Sequence, residues 1–239
     1  MSLGERVCFC TAVVVNLGIL GVFKYLTFLV RTVDQLPGVA IPVPSIILPV
    51  GISFFTFQGL SYVIDVYRNE RLKSTRFQDV LLYIALFPQL VAGPIVRYED
   101  VAGEIQSRRR TLEQLAKGLR RFIVGLSKKL LIADVCGSVV TLIYSAERSV
   151  LDSRVAWLAA VCYLLQIYFD FSGYSDMAIG LGLCFGFHFK ENFNYPYISA
   201  SIQEFWRRWH IPFPLGSGNT CISLWAETGR ERQRPTATS

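Results

Sequence analysis

Val7 to Val30 is a run of 24 residues carrying a single charge, Lys24, near its end. At 1.5 Å per residue a helix of this length reaches about 36 Å, enough to cross the roughly 30 Å hydrocarbon core of a bilayer. A secretory signal core is shorter, and no Ala-x-Ala cleavage pattern follows the run. The rest of the chain is built from similar material. Of its 239 residues 52% are hydrophobic and only 18% charged, against about 25% charged in soluble chains. These proportions exclude a disordered chain, a collagen-like chain and a small disulfide scaffold. They favour an all-α, polytopic membrane protein.

Ile46 to Ile64 is a second uncharged span, with Pro49 and Gly51 bending its start. Val80 to Val96 is apolar but has only 17 residues and is interrupted by Pro88, Gly93 and Pro94. Four basic residues precede it (Arg68, Arg71, Lys73, Arg76), and nine lie between Arg97 and Lys129. A full crossing would put these two basic segments on opposite faces, against the positive-inside tendency. The expectation is therefore a re-entrant, broken segment, tolerated where protein or a cavity surrounds it. The clustered cations, flanked by apolar spans, favour anionic lipid over nucleic acid as the neighbour.

Thr111 to Cys136 has Leu112, Leu115, Leu119, Ile123 and Leu126 at helical spacing with cations between them, which predicts an amphipathic helix lying on the cytoplasmic leaflet. Val139 to Tyr144 is too short to span alone. Val155–Phe169 and Met177–Phe187 are apolar runs separated by a polar insert, Asp170 to Asp176, and neither is a comfortable span by itself. Carboxylates at membrane depth are costly and usually functional. Asp170 and Asp176 are six residues apart and do not share a helix face, so a metal pair or glycosidase pair is weakly supported. With Ser172, Tyr174 and Ser175 they are expected to line a polar cavity. Gly180, Gly182 and Gly186 follow no strand, and close helix packing explains them better than a nucleotide loop.

The six cysteines are scattered and read as packing residues. No zinc motif and no Gly-x-Ser-x-Gly appears. There are two histidines, His188 and His210. The cations beside His210 favour its neutral imidazole, the form a general base needs. From spacing alone, interfacial structural histidines remain the plainer reading of both.

Five ordered strings then carry a resemblance. Leu48-Pro-Val-Gly-Ile-Ser-Phe-Phe-Thr-Phe-Gln, Phe87-Pro-Gln-Leu-Val-Ala-Gly-Pro-Ile-Val-Arg, Gln166-Ile-Tyr-Phe-Asp-Phe-Ser-Gly-Tyr-Ser-Asp, Glu191-Asn-Phe-Asn-Tyr-Pro-Tyr and Phe205-Trp-Arg-Arg-Trp-His-Ile resemble the membrane-bound O-acyltransferase family, in its alginate O-acetyltransferase branch. The resemblance runs from about Asn16 to Ile211. It implies a multi-helix, multi-pass protein of the bacterial inner membrane, with a funnel and re-entrant segments. It also implies transfer of an acyl group, acetyl above all, to a hydroxyl of an exported polysaccharide such as alginate. The implied donor is a co-substrate, acetyl-CoA or another acyl carrier, with no permanently bound cofactor and no metal. The implied partners are the lipid bilayer, the polysaccharide acceptor and periplasmic or membrane acetylation proteins, not nucleic acid. His210 matches the first of the family's two histidines. The resemblance places Asp170, Ser172, Tyr174, Asp176, Asn194, Trp206, Arg207 and Arg208 around the substrate. The second family histidine, in a Trp-His-Gly context, is absent from this chain. A transporter would use similar broken segments and intramembrane carboxylates, and histidine-dependent acyl transfer separates the two readings. A non-functional gene remnant is a third reading, marked by absent expression.

The resemblance stops after Ile211, dividing the chain into a partial membrane domain, 1–211, and an unrelated tail, 212–239. The genetic code explains the tail. When the third base of each tail codon is joined to the first two of the next, Asn219/Thr220 and Cys221/Ile222 must each encode Tyr or His. Trp225/Ala226 must encode Gly, and Glu227/Thr228 must encode Asn or Asp. Looser junctions complete Trp-Phe-Arg-Glu-Tyr-x-Tyr-Ile-Pro-Leu-Gly-Gly-Asn-Arg, the pattern with which the family continues. The expectation is a frame change near Ile211, a disordered tail and a central fragment that does not complete the chemistry. Resequencing through the Ile211 codon is expected to give a shifted frame with this motif and a later Trp-His-Gly. Stop codons in that frame would end the idea.

Overall fold

The computed structural model describes residues 3–35, 42, 45–49, 51–74, 76–89, 93, 96–146 and 152–211. The tail, on which the frame-change expectation rests, lies outside them, as do parts of the Val80–Val96 segment. The described residues are predominantly helical, and the sole β-type pairing among them is an isolated antiparallel bridge between Phe193 and Trp209. They fall into two units. Among the described residues the first runs up to Gln89 and takes in Arg97–Gln106, and the second holds Gly93, Val96 and residues 107–211.

In the first unit, α1 (Leu3–Leu20) passes through a π-helical turn at Gly21–Tyr25 into α2 (Leu26–Asp34). This one rod is apolar and long enough to cross a membrane. Its large side chains point outward: Val14, Phe28 and Leu29 are all more than half exposed. α3 (Ile52–Arg68) packs on α1 through the stacked rings of Phe9 and Tyr67 and through Asn16, whose side chain lies against Gly59. The expected span Ile46–Ile64 is corrected here. Ser45–Pro49 is not helical, and Gly51, at φ 80°, starts the helix only at Ile52. α4 (Phe77–Ala85) stops short of Pro88, as the proline requires. Gln58 and Gln89 then donate to the Tyr83 carbonyl near its end. α5 (Tyr98–Gln106) closes the unit, with Tyr98 edge-on to Tyr62 and Tyr83.

The second unit is a pair of antiparallel rods. α6 (Leu112–Ser127) opens with a reciprocal cap between Thr111 and Gln114. It continues through a π-helical turn, Lys128–Ala133, into α7 (Asp134–Ser145). The separate amphipathic helix ending at Cys136 and the short Val139–Tyr144 stretch are thus one continuous rod. Beside it runs α8, unbroken from Ser153 to Cys184. This corrects the expected break at Asp170–Asp176: the polar insert is helical, because its carboxylates find cations on the neighbouring rod.

Glycine lets the rods touch. A Cβ on Gly118 would lie 2.6 Å from the Gly180 carbonyl oxygen, and one on Gly125 would lie 2.5 Å from that of Gly173. Two glycines seven residues apart on each helix therefore bring backbone onto backbone at two levels. The apolar stripe faces the other way, with Leu112, Leu119 and Ile123 exposed. α8 ends in a Schellman turn: Gly186, at φ 82°, donates to Leu183, and Phe187 donates to Gly182. The following loop folds back on α8. Tyr197 donates its hydroxyl to the Leu164 carbonyl, and Tyr168 and Phe171 meet Phe193 and Trp209 edge-on or tilted. α9 (Ile202–Arg208), capped by Ser201, completes the unit.

Substituting Gly125 by Ala is expected to destabilise the chain by about 1–3 kcal/mol, the usual cost of overpacking. Gly18→Ala and Gly103→Ala, whose Cβ would meet nothing within 4 Å, are expected to gain up to about 1 kcal/mol from helix propensity. Thermal unfolding of the three variants checks the contrast.

Candidate functional site

The site grows out of the contact between α6 and α8. Asp176, on α8, is 16% exposed and takes three donors from the opposite rod. Arg121 Nε and Nη2 reach its Oδ1 at 3.1 and 2.8 Å, and Lys128 Nζ reaches Oδ2 at 2.5 Å. Arg121 also holds the loop after α8, through Nη1 to Glu191 Oε1 at 2.6 Å and Nη2 to Glu191 Oε2 at 2.5 Å. One guanidinium thus ties two helices and a loop, a task suited to its planar fork of donors. Lys129 makes a parallel pairing with Asp170 at 2.6 Å and with Asp134 at 3.0 Å.

Glu191 is followed by Asn192, the most completely buried polar residue described here at 1% exposure. Its backbone carbonyl accepts from Ile211 N–H, and Asn194 N–H donates to the Arg208 carbonyl. These bonds hold residues 192–194 against 208–211. Asn192 Oδ1 lies 2.7 Å from His210 Nδ1. With that oxygen as acceptor, the neutral ring carries its proton on Nδ1, and Nε2 is the basic nitrogen. Burial pushes the His210 imidazole below its ordinary pKa. Its backbone sits at φ 51°, an uncommon conformation for a residue with a Cβ. Phe171 packs edge-on to the ring at 5.1 Å.

A cavity of about 420 Å³ lies beside this loop, lined by the charged Arg121, Lys128, Asp176 and Glu191 and by the neutral Ser172, Ser175 and Asn192. Tyr168, Phe193, Asn194, Tyr195 and Ile211 complete its lining. Of the residues expected around a substrate, Ser172, Asp176 and Asn194 meet at this cavity. His210 is not among the lining residues but is bonded to Asn192, which is. Asp170 is turned to Lys129, and Tyr174, Trp206 and Arg207 are not among the lining residues. Arg208 supports the loop through Glu204 and the Asn194 carbonyl. Ser175, expected to line a polar cavity, does so, whereas Arg121, Lys128, Glu191 and Asn192 were not singled out from sequence as site residues. An intramembrane carboxylate needs a cation, and the basic residues of Thr111–Cys136 were the signal that could have supplied one. Among the described residues no three His, Cys, Asp or Glu side chains gather as a metal site requires.

Residues 52–214 match the profile of MBOAT, the membrane-bound O-acyltransferase family. The chain belongs to that family. It is 46% identical over 206 residues to the protein of Pseudomonas aeruginosa named "Probable alginate O-acetylase AlgI", covering 83% of this chain and 39% of that one. A protein of the same name from Azotobacter vinelandii is 47% identical over 203 residues, covering 83% and 40%. The "Peptidoglycan O-acetyltransferase" of Helicobacter pylori is 33% identical over 234 residues, covering 87% and 44%. This MBOAT chain therefore spans about two fifths of the length of these relatives. The family read from the five strings holds.

The burial of His210 gives a direct expectation. Only two histidines are present, so His188→Asn isolates the other for NMR titration. The His210 ring is expected to titrate below the usual value of about 6.5. Asn192→Asp, which puts a carboxylate on Nδ1–H, is expected to move it above that value.

Proposed function

We propose that this chain is the middle part of a multi-pass O-acyltransferase of the bacterial inner membrane. It would move an acyl group, acetyl above all, from acetyl-CoA or another acyl carrier to a hydroxyl of an exported polysaccharide. The names of its relatives support an alginate-like or cell-wall acceptor, and in this reading the chain works with acetylation partners in the membrane or periplasm. In this reading residues 1–211 are part of the membrane domain, and residues 212–239 are the product of a changed frame. In this reading α8, which is long and apolar enough to cross a membrane, spans the bilayer, and the rod α6–α7 packs antiparallel to it with its Leu112–Ile123 stripe toward lipid. The Val80–Val96 segment, already broken at Pro88, is the re-entrant element.

The observation that carries the reading is the half-buried, Asn192-oriented His210 next to the polar cavity. As the acceptor hydroxyl attacks the acyl carbonyl, Nε2 takes its proton. The new O–acyl bond forms, the bond to the carrier breaks, and the carrier leaves with a proton. A base placed in this way contributes about 10²–10⁴ in rate. Ser172, Asp176 and Asn194 would hold the acceptor, with the Arg208 support fixing the loop.

The test is O-acetylation of the exported polymer in a host that lacks its own acetylase. The gene restored to the family frame is expected to acetylate. The 239-residue chain alone, without the second histidine, is expected not to. His210→Ala in the restored gene is expected to lower acetyl content at least a hundredfold. Acetylation that survives this substitution unchanged would overturn the reading, and movement of acyl groups without transfer would favour a transporter.

A further inference from the structure

Among the described residues two that are not glycine hold a left-handed backbone, Tyr195 at φ 43° and His210 at φ 51°. Both stand beside the cavity. Tyr195 lines it, and His210 is bonded to Asn192, which lines it too. Such conformations are costly for a residue with a Cβ and cluster at functional sites. At Tyr195 the cost is raised by Pro196, since a proline pushes the residue before it toward extended backbone. The turn itself accounts for the left-handed conformation: the Tyr195 carbonyl accepts from Ile198 N–H as the chain enters the Pro196–Ile198 turn. It does not account for a tyrosine, because glycine takes this conformation freely. Nor is the ring spent on packing. Phe193 and Tyr197, two residues away on either side, meet the ring of Tyr168, whereas Tyr195 is 72% exposed. A large ring that is kept at a cost in backbone conformation, and that lines a cavity while staying open, has its use in what the cavity receives.

We infer that Tyr195 is a substrate-contacting residue, whose ring forms part of the cavity wall and packs against the group that occupies the cavity. Its part in acyl transfer rests on the transferase reading; the contact itself rests on the cavity and on the backbone of Tyr195.

The experiment has two readouts. The first is thermal unfolding of the 239-residue chain in lipid nanodiscs, with helicity verified by circular dichroism. Tyr195→Gly is expected to raise the unfolding temperature by about 2–4 °C, because it relieves the left-handed backbone and removes no packed ring. Tyr195→Asn, also at ease in this region, is expected to shift it in the same direction. Tyr195→Ala keeps the strain and is expected to gain nothing. A lower temperature for both Tyr195→Gly and Tyr195→Asn would mean that the ring belongs to the packing, and would overturn the inference. The second readout is the acetyl content of the exported polymer, in a host that lacks its own acetylase, with the same substitutions in the gene restored to the family frame. Tyr195→Gly and Tyr195→Ala are each expected to lower it about fivefold to tenfold, although the glycine variant is the more stable protein. Tyr195→Phe, which restores the ring, is expected to recover about half of the lost acetylation or more. A structural residue would instead lose transfer and stability together. Unchanged acetyl content in the glycine and alanine variants, as for a ring that only sits at the bilayer interface, would overturn the inference. A restored gene that never acetylates, with the stabilisation by glycine intact, would sink the transferase reading and leave Tyr195 as a contact for another ligand. Acetylation that depends on His210 and not on Tyr195 would do the reverse.

Discussion

Asp176 has little water to face, and the order of the second unit follows from where its charge goes. A carboxylate at this depth is costly unless paired, and its partners Arg121 and Lys128 sit on a different helix. They reach it because Gly118 and Gly125 let α6 lie directly on Gly180 and Gly173 of α8. Packing and ion pairing are therefore one interaction. A wider helix pair would separate the charges, and unpaired charges would leave no reason for the polar faces to meet. The same guanidinium then fixes Glu191, and through the neighbouring Asn192 the ring of His210.

Much of this was legible in the residues. The apolar run from Val7, the break at Pro88 and the family strings around Asp170 and His210 read directly onto the structure. The continuity of α8 did not, because a polar insert between two apolar runs looks like a loop until the cations across from it are known. Nor did the role of Arg121. Its spacing on α6 fits a solvated or lipid-facing amphipathic face as well as a face turned to a carboxylate 55 residues away. Periodicity marks a stripe but not the direction in which it points. Asn192 carried no signal of its own, since a buried asparagine is recognised by what surrounds it.

The direction of that stripe has physical content. In a water-soluble helix pair Leu112, Leu119 and Ile123 would be the contact and the cations would face out. Here those three side chains are exposed, and Arg121 and Lys128 turn to α8 while Lys117 and Arg120 stay exposed. Between helices that share a lipid environment, apolar surface gives no net drive to associate, so small residues and polar contacts take over that task. The outward side chains of α1 and α2 in the first unit follow the same rule.

The π-helical turn at Lys128–Ala133 holds one residue more than a regular helix would need for the same rise. Losing any single residue there would restore an ordinary helix at no cost in hydrogen bonds. Because the wide turn takes up that residue within one circuit, the helix faces on either side would keep their alignment, with Arg121 toward Asp176 and Gly137 against Gln166. A one-residue difference in length between homologues over these six positions is therefore compatible with the same site, whereas the same difference in the regular turns on either side would rotate one half of the rod against the other by about 100°.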